Sequence, residues 1–319
     1  MTIEPLLDLR LHAIRFAAEG VLLFDLRAPD GAALPSFEPG AHLDLRLPAG
    51  MVRSYSLLND AAERHRYLIG VKREEKGRGG SAWLHDSAHV GSMLEVVPPS
   101  NQFSLIEDAP NSVFFAGGIG ITPLWCMVQR LRTLGRPWTL HYRSQSRKTA
   151  ALLDQLARPE VAPYCHVSFS ESANGSRMDI ARIVSEAPAG THFYCCGPLP
   201  MLEAFEAACA TLEPDRVHRE YFAAKEAPAL EGGYTVRLAR SGLDVPIPSG
   251  RTILEMLRGA GITLPSSCEQ GICGACETRV LAGTPDHRDL VLSEDEKVAN
   301  DTMMICCSGA KGIELVLDL

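Results

Sequence analysis

Over the first hundred residues apolar and polar positions alternate in short runs: Leu9–Arg15, Val21–Leu26, His42–Leu47, Val52–Leu57, Tyr67–Lys72 and Met93–Val97. Pro, Gly and Asp separate the runs, and a period of two turns one face of each strand toward a core. Short, evenly spaced strands of this kind predict a small antiparallel β-barrel. The period then changes. Ser112–Ala116 is continuously apolar, as in a strand buried on both faces, and it ends in Gly117-Gly-Ile-Gly-Ile-Thr-Pro123. Thr122 is placed to cap a helix through Leu124–Leu134, with Pro123 in its first turn. Segments at Thr139–Tyr142, Thr149–Leu156, His166–Ser170, Ile180–Val184, Thr191–Cys195 and Leu199–Cys209 continue the strand and helix alternation. They predict an α/β domain with a five-stranded, doubly wound parallel sheet.

A run rich in Ala, Pro, Glu and Gly follows, and the pattern changes again. Strands are expected at Tyr234–Ala239, Leu243–Ile247, Thr278–Ala282 and Ile313–Leu317, with a helix at Thr252–Ala260. That is a β-grasp outline. The chain therefore reads as multidomain: an antiparallel β-barrel over residues 1–104, a doubly wound α/β domain over 105–224, a tether at 225–233 and a β-grasp domain over 234–319. A length of 319 residues fits this division, since one core rarely serves so long a chain.

The net charge of −8 and the lack of a basic tract argue against a nucleic-acid partner. Residues 1–10 lack the charged start and apolar core of an export signal, and no apolar run approaches membrane-spanning length. A cytoplasmic protein with no membrane span is expected. Its ten cysteines then point to reduced thiols and metal ligation, not disulfides.

Four stretches carry candidate chemistry. Cys268, Cys273 and Cys276 form a C-x4-C-x2-C array, with Cys306 and Cys307 about thirty residues on. Three thiolates in one loop and a distant fourth suit two bridged irons. Zinc more often takes two C-x2-C pairs or Cys/His mixtures. Spacing alone leaves the fourth ligand open between Cys306 and Cys307. In Arg53-Ser-Tyr-Ser-Leu57, alternation puts Arg53, Tyr55 and Leu57 on one face and Ser54 and Ser56 on the other. Gly77-Arg-Gly-Gly-Ser81 leads into a helix start, where free N–H groups and Ser81 could receive a phosphate. The strand, glycine turn and helix at Gly117–Pro123 make a dinucleotide phosphate site, although the ordinary G-x-G-x-x-G fingerprint is absent.

Residues 234–319 resemble a plant-type ferredoxin domain. The family pattern matches Ile305-Cys306-Cys307-Ser308 and so implies Cys268, Cys273, Cys276 and Cys306 as ligands of a [2Fe–2S] cluster, with Cys307 as a small packing residue. Arg53–Leu57 and Gly77–Ser81 resemble the flavin domain of the ferredoxin–NADP reductase superfamily, in its FMN-binding branch. That implies Arg53 on the flavin phosphate and Tyr55 against the ring, with Ser54, Ser56, Leu57, Gly79, Gly80 and Ser81 around them. Gly117, Gly118, Gly120, Thr122 and Pro123, together with Tyr194-Cys-Cys-Gly-Pro-Leu-Pro-Met201, resemble the pyridine-nucleotide domain of the same superfamily. By that resemblance Cys196, Gly197 and Pro198 lie where nicotinamide meets flavin, and Cys195 is packing. Phe222 matches the aromatic over the flavin ring, against the simpler reading of a core residue. Cys196 and Phe222 are thus the catalytic candidates.

The order of the parts resembles the phthalate dioxygenase reductase family, the reductase components of Rieske-type aromatic-ring oxygenases and O-demethylases. The resemblance implies a monomeric oxidoreductase that passes electrons from NADH through FMN to the cluster and on to the terminal oxygenase component. Arg143 and Arg147 could take a 2′-phosphate, yet loop arginines are usually solvated, so NADH is expected over NADPH. The same electron chain could serve a non-Rieske hydroxylase or a free iron–sulfur protein. A redox-sensing carrier would leave two nucleotide sites unexplained.

Overall fold

The computed structural model describes residues 6–172 and 178–319; residues 1–5, part of the stretch read as lacking an export signal, lie outside them. The chain forms two compact units, one ending at Phe222 and the other spanning Ala223–Leu319.

The first unit opens with strands β1 (Leu7–Ala18), β2 (Val21–Arg27), β3 (His42–Leu47), β4 (Met51–Ser56) and β5 (Tyr67–Lys72), helix α1 (Gly80–Asp86) and strand β6 (Met93–Ser100). The strands run antiparallel in the order β4-β3-β6-β1-β2-β5. A bridge between Leu57 and Ile69 and a bond from Leu58 N to Leu68 O at 2.9 Å join the two ends. The sheet is therefore a closed barrel. Its alternation is the one expected: Leu9 and Leu11 are buried while Asp8 and Arg10 are exposed.

The unit continues through β7 (Asn111–Gly117), α2 (Ile121–Thr133), β8 (Trp138–Ser144), α3 (Leu153–Leu156), β9 (Cys165–Phe169), α4 (Ile180–Glu186), β10 (Thr191–Cys196), α5 (Leu199–Cys209) and β11 (Val217–Glu220). These strands are parallel in the order β11-β10-β7-β8-β9. Strand order reverses between β7 and β10, and the crevice beyond their carboxyl ends is the usual ligand position of such a sheet. Helix α2 is a wall common to the two sheets. Trp125 and Met127 pack with Leu23, Leu58 and Leu68, whereas Cys126 enters the barrel core.

Two expectations of local structure need correction. Thr122 does not cap α2, which is entered through a 3-10 turn at Gly118–Gly120 with Gly120 at the cap; the Thr122 hydroxyl donates to Ile119 O at 2.9 Å. Thr149–Leu156 is helical only over its last four residues. The Tyr142 hydroxyl accepts from Ala151 N at 3.1 Å, and Thr149 Oγ1 is bonded to Ser146. These bonds hold the start of the segment in a turn.

The second unit contains β12 (Tyr234–Leu238), β13 (Asp244–Ile247), α6 (Ile253–Gly259), β14 (Glu277–Ala282), β15 (Pro285–Asp286), α7 (Glu294–Ala299), β16 (Thr302–Met304), β17 (Gly309–Ala310) and β18 (Glu314–Leu317). A mixed sheet in the order β13-β12-β18-β14-β16 carries α6, whose Ile253, Leu254 and Leu257 are buried. A capping box between Thr252 and Glu255 starts that helix. The run read as a tether is packed down within this unit. Ala229 is buried and its N–H donates to Cys307 O at 2.8 Å, Gly250 N donates to Leu230 O at 2.8 Å, and Gly233 N donates to Ile247 O at 2.8 Å.

Candidate functional site

Strand β4 and the turn before α1 meet at Arg53. Its stem crosses Gly80 so closely that a Cβ there would lie 2.5 Å from Arg53 Cγ. Its guanidinium donates to Val52 O at 2.7 Å and to Arg78 O at 2.6 Å, tying the strand to the glycine turn. Gly79 takes a left-handed φ of 85° to admit the chain into α1. Ser81 Oγ accepts from Glu74 N at 3.0 Å and braces the same turn. Tyr55 is half-buried, and burial pushes its phenol up to about 12 against the opposing pull of Arg53 and Arg78. It is a neutral hydrogen-bond donor at any ordinary pH. A guanidinium beside a bare glycine backbone and a helix start fits a phosphate, and a neutral phenol fits the edge or face of a ring.

Two members of the expected flavin set have other partners. Ser54 turns to the opposite side of β4 and donates to Asp44 at 2.6 Å. Leu57 is 0% exposed where the barrel closes, so it has no surface to offer a ligand. Its place in the set is corrected to a core residue.

At the switch point between β7 and β10 the glycines are required by packing. A Cβ on Gly117 would lie 2.4 Å from Pro198 Cδ, one on Gly120 would lie 2.2 Å from Cys196 O, and one on Gly197 would lie 2.9 Å from Met201 Sδ. Gly118 has φ 54° with open space around it. No side chain caps the start of α2. Its first-turn N–H groups, next to this close-packed glycine turn, suit a pyrophosphate. Thr122 Cγ2 packs toward Gly70 of β5 and Pro123 is buried, so both shape the turn from behind.

Strands β4, β10 and β11 bring Ser56, Cys196 and Glu220 together. The Cys196 thiol donates to Glu220 Oε2 across 3.8 Å, and Ser56 is a second hydrogen-bond partner of that carboxyl. Cys196 is wholly buried and Ser56 nearly so. Burial raises the Glu220 carboxyl to about 8, with Cys196 and Ser56 pulling the other way. Glu220 therefore carries a proton at neutral pH. Sequence reasoning missed this residue, whose partners are far away along the chain; the one local signal was an acid ending a strand directly before Tyr221-Phe222. Phe222 stands just beyond β11, 38% exposed and outside the packed cores, which disfavours its reading as a core residue.

In the second unit all four expected cysteine ligands are buried. Their sulfurs associate in two pairs, Cys268 with Cys273 and Cys276 with Cys306, and Cys273 also acts on Cys276. Backbone donors converge on them: Cys268 N reaches Cys273 Sγ at 3.4 Å and Gln270 N reaches Cys268 Sγ at 3.3 Å. Gly271 and Gly274 have φ of 69° and 74°, which lets the loop turn its N–H groups inward. Two thiolates for each of two irons, with N–H donors on the sulfurs, fit a [2Fe–2S] cluster. Cys307 Sγ donates to Met304 O at 3.7 Å and also neighbours the Cys306 sulfur.

Residues 236–311 match the family described as 2Fe-2S iron-sulfur cluster binding domain. Over 318 residues the chain is 64% identical to phenoxybenzoate dioxygenase subunit beta of Ectopseudomonas oleovorans, covering 100% of this chain and 98% of that one. Tetrachlorobenzoquinone reductase of Sphingobium chlorophenolicum is 46% identical, with 98% of each chain covered. The solved structure of phthalate dioxygenase reductase, described as modular and built for electron transfer from pyridine nucleotides to [2Fe-2S], superposes with a TM-score of 0.82. It is 39% identical, covering 99% of this chain and 98% of that one.

Proposed function

The chain belongs to the phthalate dioxygenase reductase family of oxygenase reductases, and from that premise we propose that it draws electrons from NADH and delivers them through FMN and a [2Fe–2S] cluster to the terminal component of a Rieske-type oxygenase or O-demethylase. The observation that carries this reading is one chain in which the Arg53 stem crosses Gly80 at a helix start, a glycine turn lies at a sheet switch point, and cysteines pair in a separate unit. Flavin and cluster, when bound, convert two-electron donation into one-electron delivery.

In this reading Arg53 and the Gly79–Ser81 turn hold the FMN phosphate, and Tyr55 lies along the ring. Gly117, Gly118, Gly120 and the start of α2 take the NADH pyrophosphate. Gly197 and Pro198 keep the floor of the crevice bare enough for a nicotinamide. Phe222, exposed just beyond β11, would cover the flavin ring. Cys196, wholly buried, would help to exclude water from the nicotinamide end of the crevice. Glu220 stores a proton there at neutral pH, and Ser56 orients its carboxyl. Cys268, Cys273, Cys276 and Cys306 hold the cluster.

The division into residues 1–104, 105–224 and 234–319 belongs to the same proposal, as do a monomeric state and a cytoplasmic location. No helix among the described residues is long and apolar enough to cross a membrane. Metal and sulfide analysis after Cys273→Ser tests the assignment: cluster iron and acid-labile sulfide should vanish while the flavin stays. One tightly bound zinc and no sulfide in the unaltered protein would overturn it. The relative named for quinone reduction makes a quinone acceptor the second reading. Equal electron transfer rates to a quinone and to a Rieske component would favour that reading.

A further inference from the structure

We propose that Cys307 is a positioning residue for the iron–sulfur cluster, acting as a wedge that presses Gly271 into place and so holds the Gly271 N–H on the Cys306 sulfur. This rests on the assignment of Cys306 as a ligand.

Gly271 is crowded on the face where a side chain would stand: a Cβ built on it would lie 2.4 Å from Cys307 Sγ and 3.0 Å from Asp289 Cα. Its N–H donates to the Cys306 sulfur, and its carbonyl accepts from Leu290 N at 2.8 Å. Asp289 is held firmly. The Asp289 side chain is 0% exposed, and its Oδ2 accepts from Val291 N at 3.2 Å and Leu292 N at 2.9 Å. His287 Nδ1 stands 3.7 Å from Asp289 Oδ1, and its Nε2 is 3.3 Å from Asn300 Oδ1.

The Cys307 side is equally fixed. Cys307 is buried, its N–H donates to Met304 O at 3.2 Å, and its carbonyl accepts from Ala229 N at 2.8 Å. With both neighbours held, a larger side chain at 307 must displace Gly271. Hydrogen bonds to cluster sulfurs stabilise the more negative, reduced state and so raise the reduction potential. A larger residue at 307 pushes the Gly271 N–H off Cys306 and lowers the potential.

The test measures iron and sulfide content, the EPR spectrum and the cluster midpoint potential in the full-length protein. Cys307→Ser, close in volume, should keep the cluster, spectrum and potential of the unaltered protein. Cys307→Val should keep the iron but shift the potential downward with altered g-values. An unshifted potential in Cys307→Val would overturn the proposal. If that variant assembles no cluster, the pair Gly271→Ala and Gly271→Ala/Cys307→Ala decides. A potential lowered by the first and partly restored by the second supports the wedge, and independent, additive shifts refute it. Cluster loss in Cys307→Ser with retention in Cys306→Ser would show that the ligand assignment had failed, an outcome distinct from failure of the wedge.

Discussion

The Cys196 thiol donates to the Glu220 carboxyl across 3.8 Å, joining the ends of two adjacent parallel strands at the place where the barrel contributes Ser56. A carboxyl held there with its proton on up to about pH 8 is chemically unusual, and perturbed acids concentrate where proton movement matters.

The pH dependence of NADH oxidation follows from that carboxyl. A limb near pH 8 is expected in the unaltered protein and should disappear in Glu220→Gln, which keeps the shape but cannot titrate. Ser56→Ala removes a partner that lowers the Glu220 value, so the limb should move upward, by up to about one pH unit for one hydrogen bond. Stability carries the same signature. The folded carboxyl is raised above its ordinary value of 4.5, so its contribution is full below about pH 4.5 and is lost as pH rises toward 8. Thermal melting of Glu220→Gln should slope less steeply across that window. An unchanged rate profile and melting slope would remove Glu220 from the account.

Gly80 bears on flavin retention. A Cβ there meets the Arg53 stem at 2.5 Å and must displace the guanidinium from the Arg78 carbonyl. Gly80→Ala should weaken FMN binding about tenfold, or roughly 1.4 kcal/mol, while cluster content stays unchanged. Fluorescence of released flavin during dilution measures the loss.

Removal of the second unit isolates the first half of the pathway. A chain ending at Phe222 keeps the whole first unit. It should oxidise NADH with ferricyanide at a rate within about twofold of the full chain, since neither nucleotide site is cut, and should fail with an oxygenase or cytochrome c. Full oxygenase turnover by the truncated chain would make the cluster dispensable.

Much of this was legible along the sequence because it is locally encoded. The barrel runs, the bounds of α5 at Leu199–Cys209 and the cysteine loop each follow from period or spacing within a short window. What was not legible depends on distant partners. The helix anticipated from Thr149 lost to the Tyr142 hydroxyl and to a turn built on Thr149 itself. Thr122 lost the cap because the glycines before it already wind the chain into the helix. Leu57 looked like a ligand contact because it shares a face with Arg53 and Tyr55, yet barrel closure buries it. Glu220 acquires its chemistry only when β4 and β10 converge on it, and no window on the sequence contains Ser56, Cys196 and Glu220 together.

The central claim is an electron path from NADH through flavin to cluster, and anaerobic titration with NADH tests it most directly, with the absorption spectrum and the low-temperature EPR signal recorded at each addition. The account predicts that flavin and iron–sulfur absorbance bleach together and that a reduced [2Fe–2S] EPR signal grows to about one spin per chain. Flavin bleaching with no cluster signal, or no flavin absorbance at all, would contradict it.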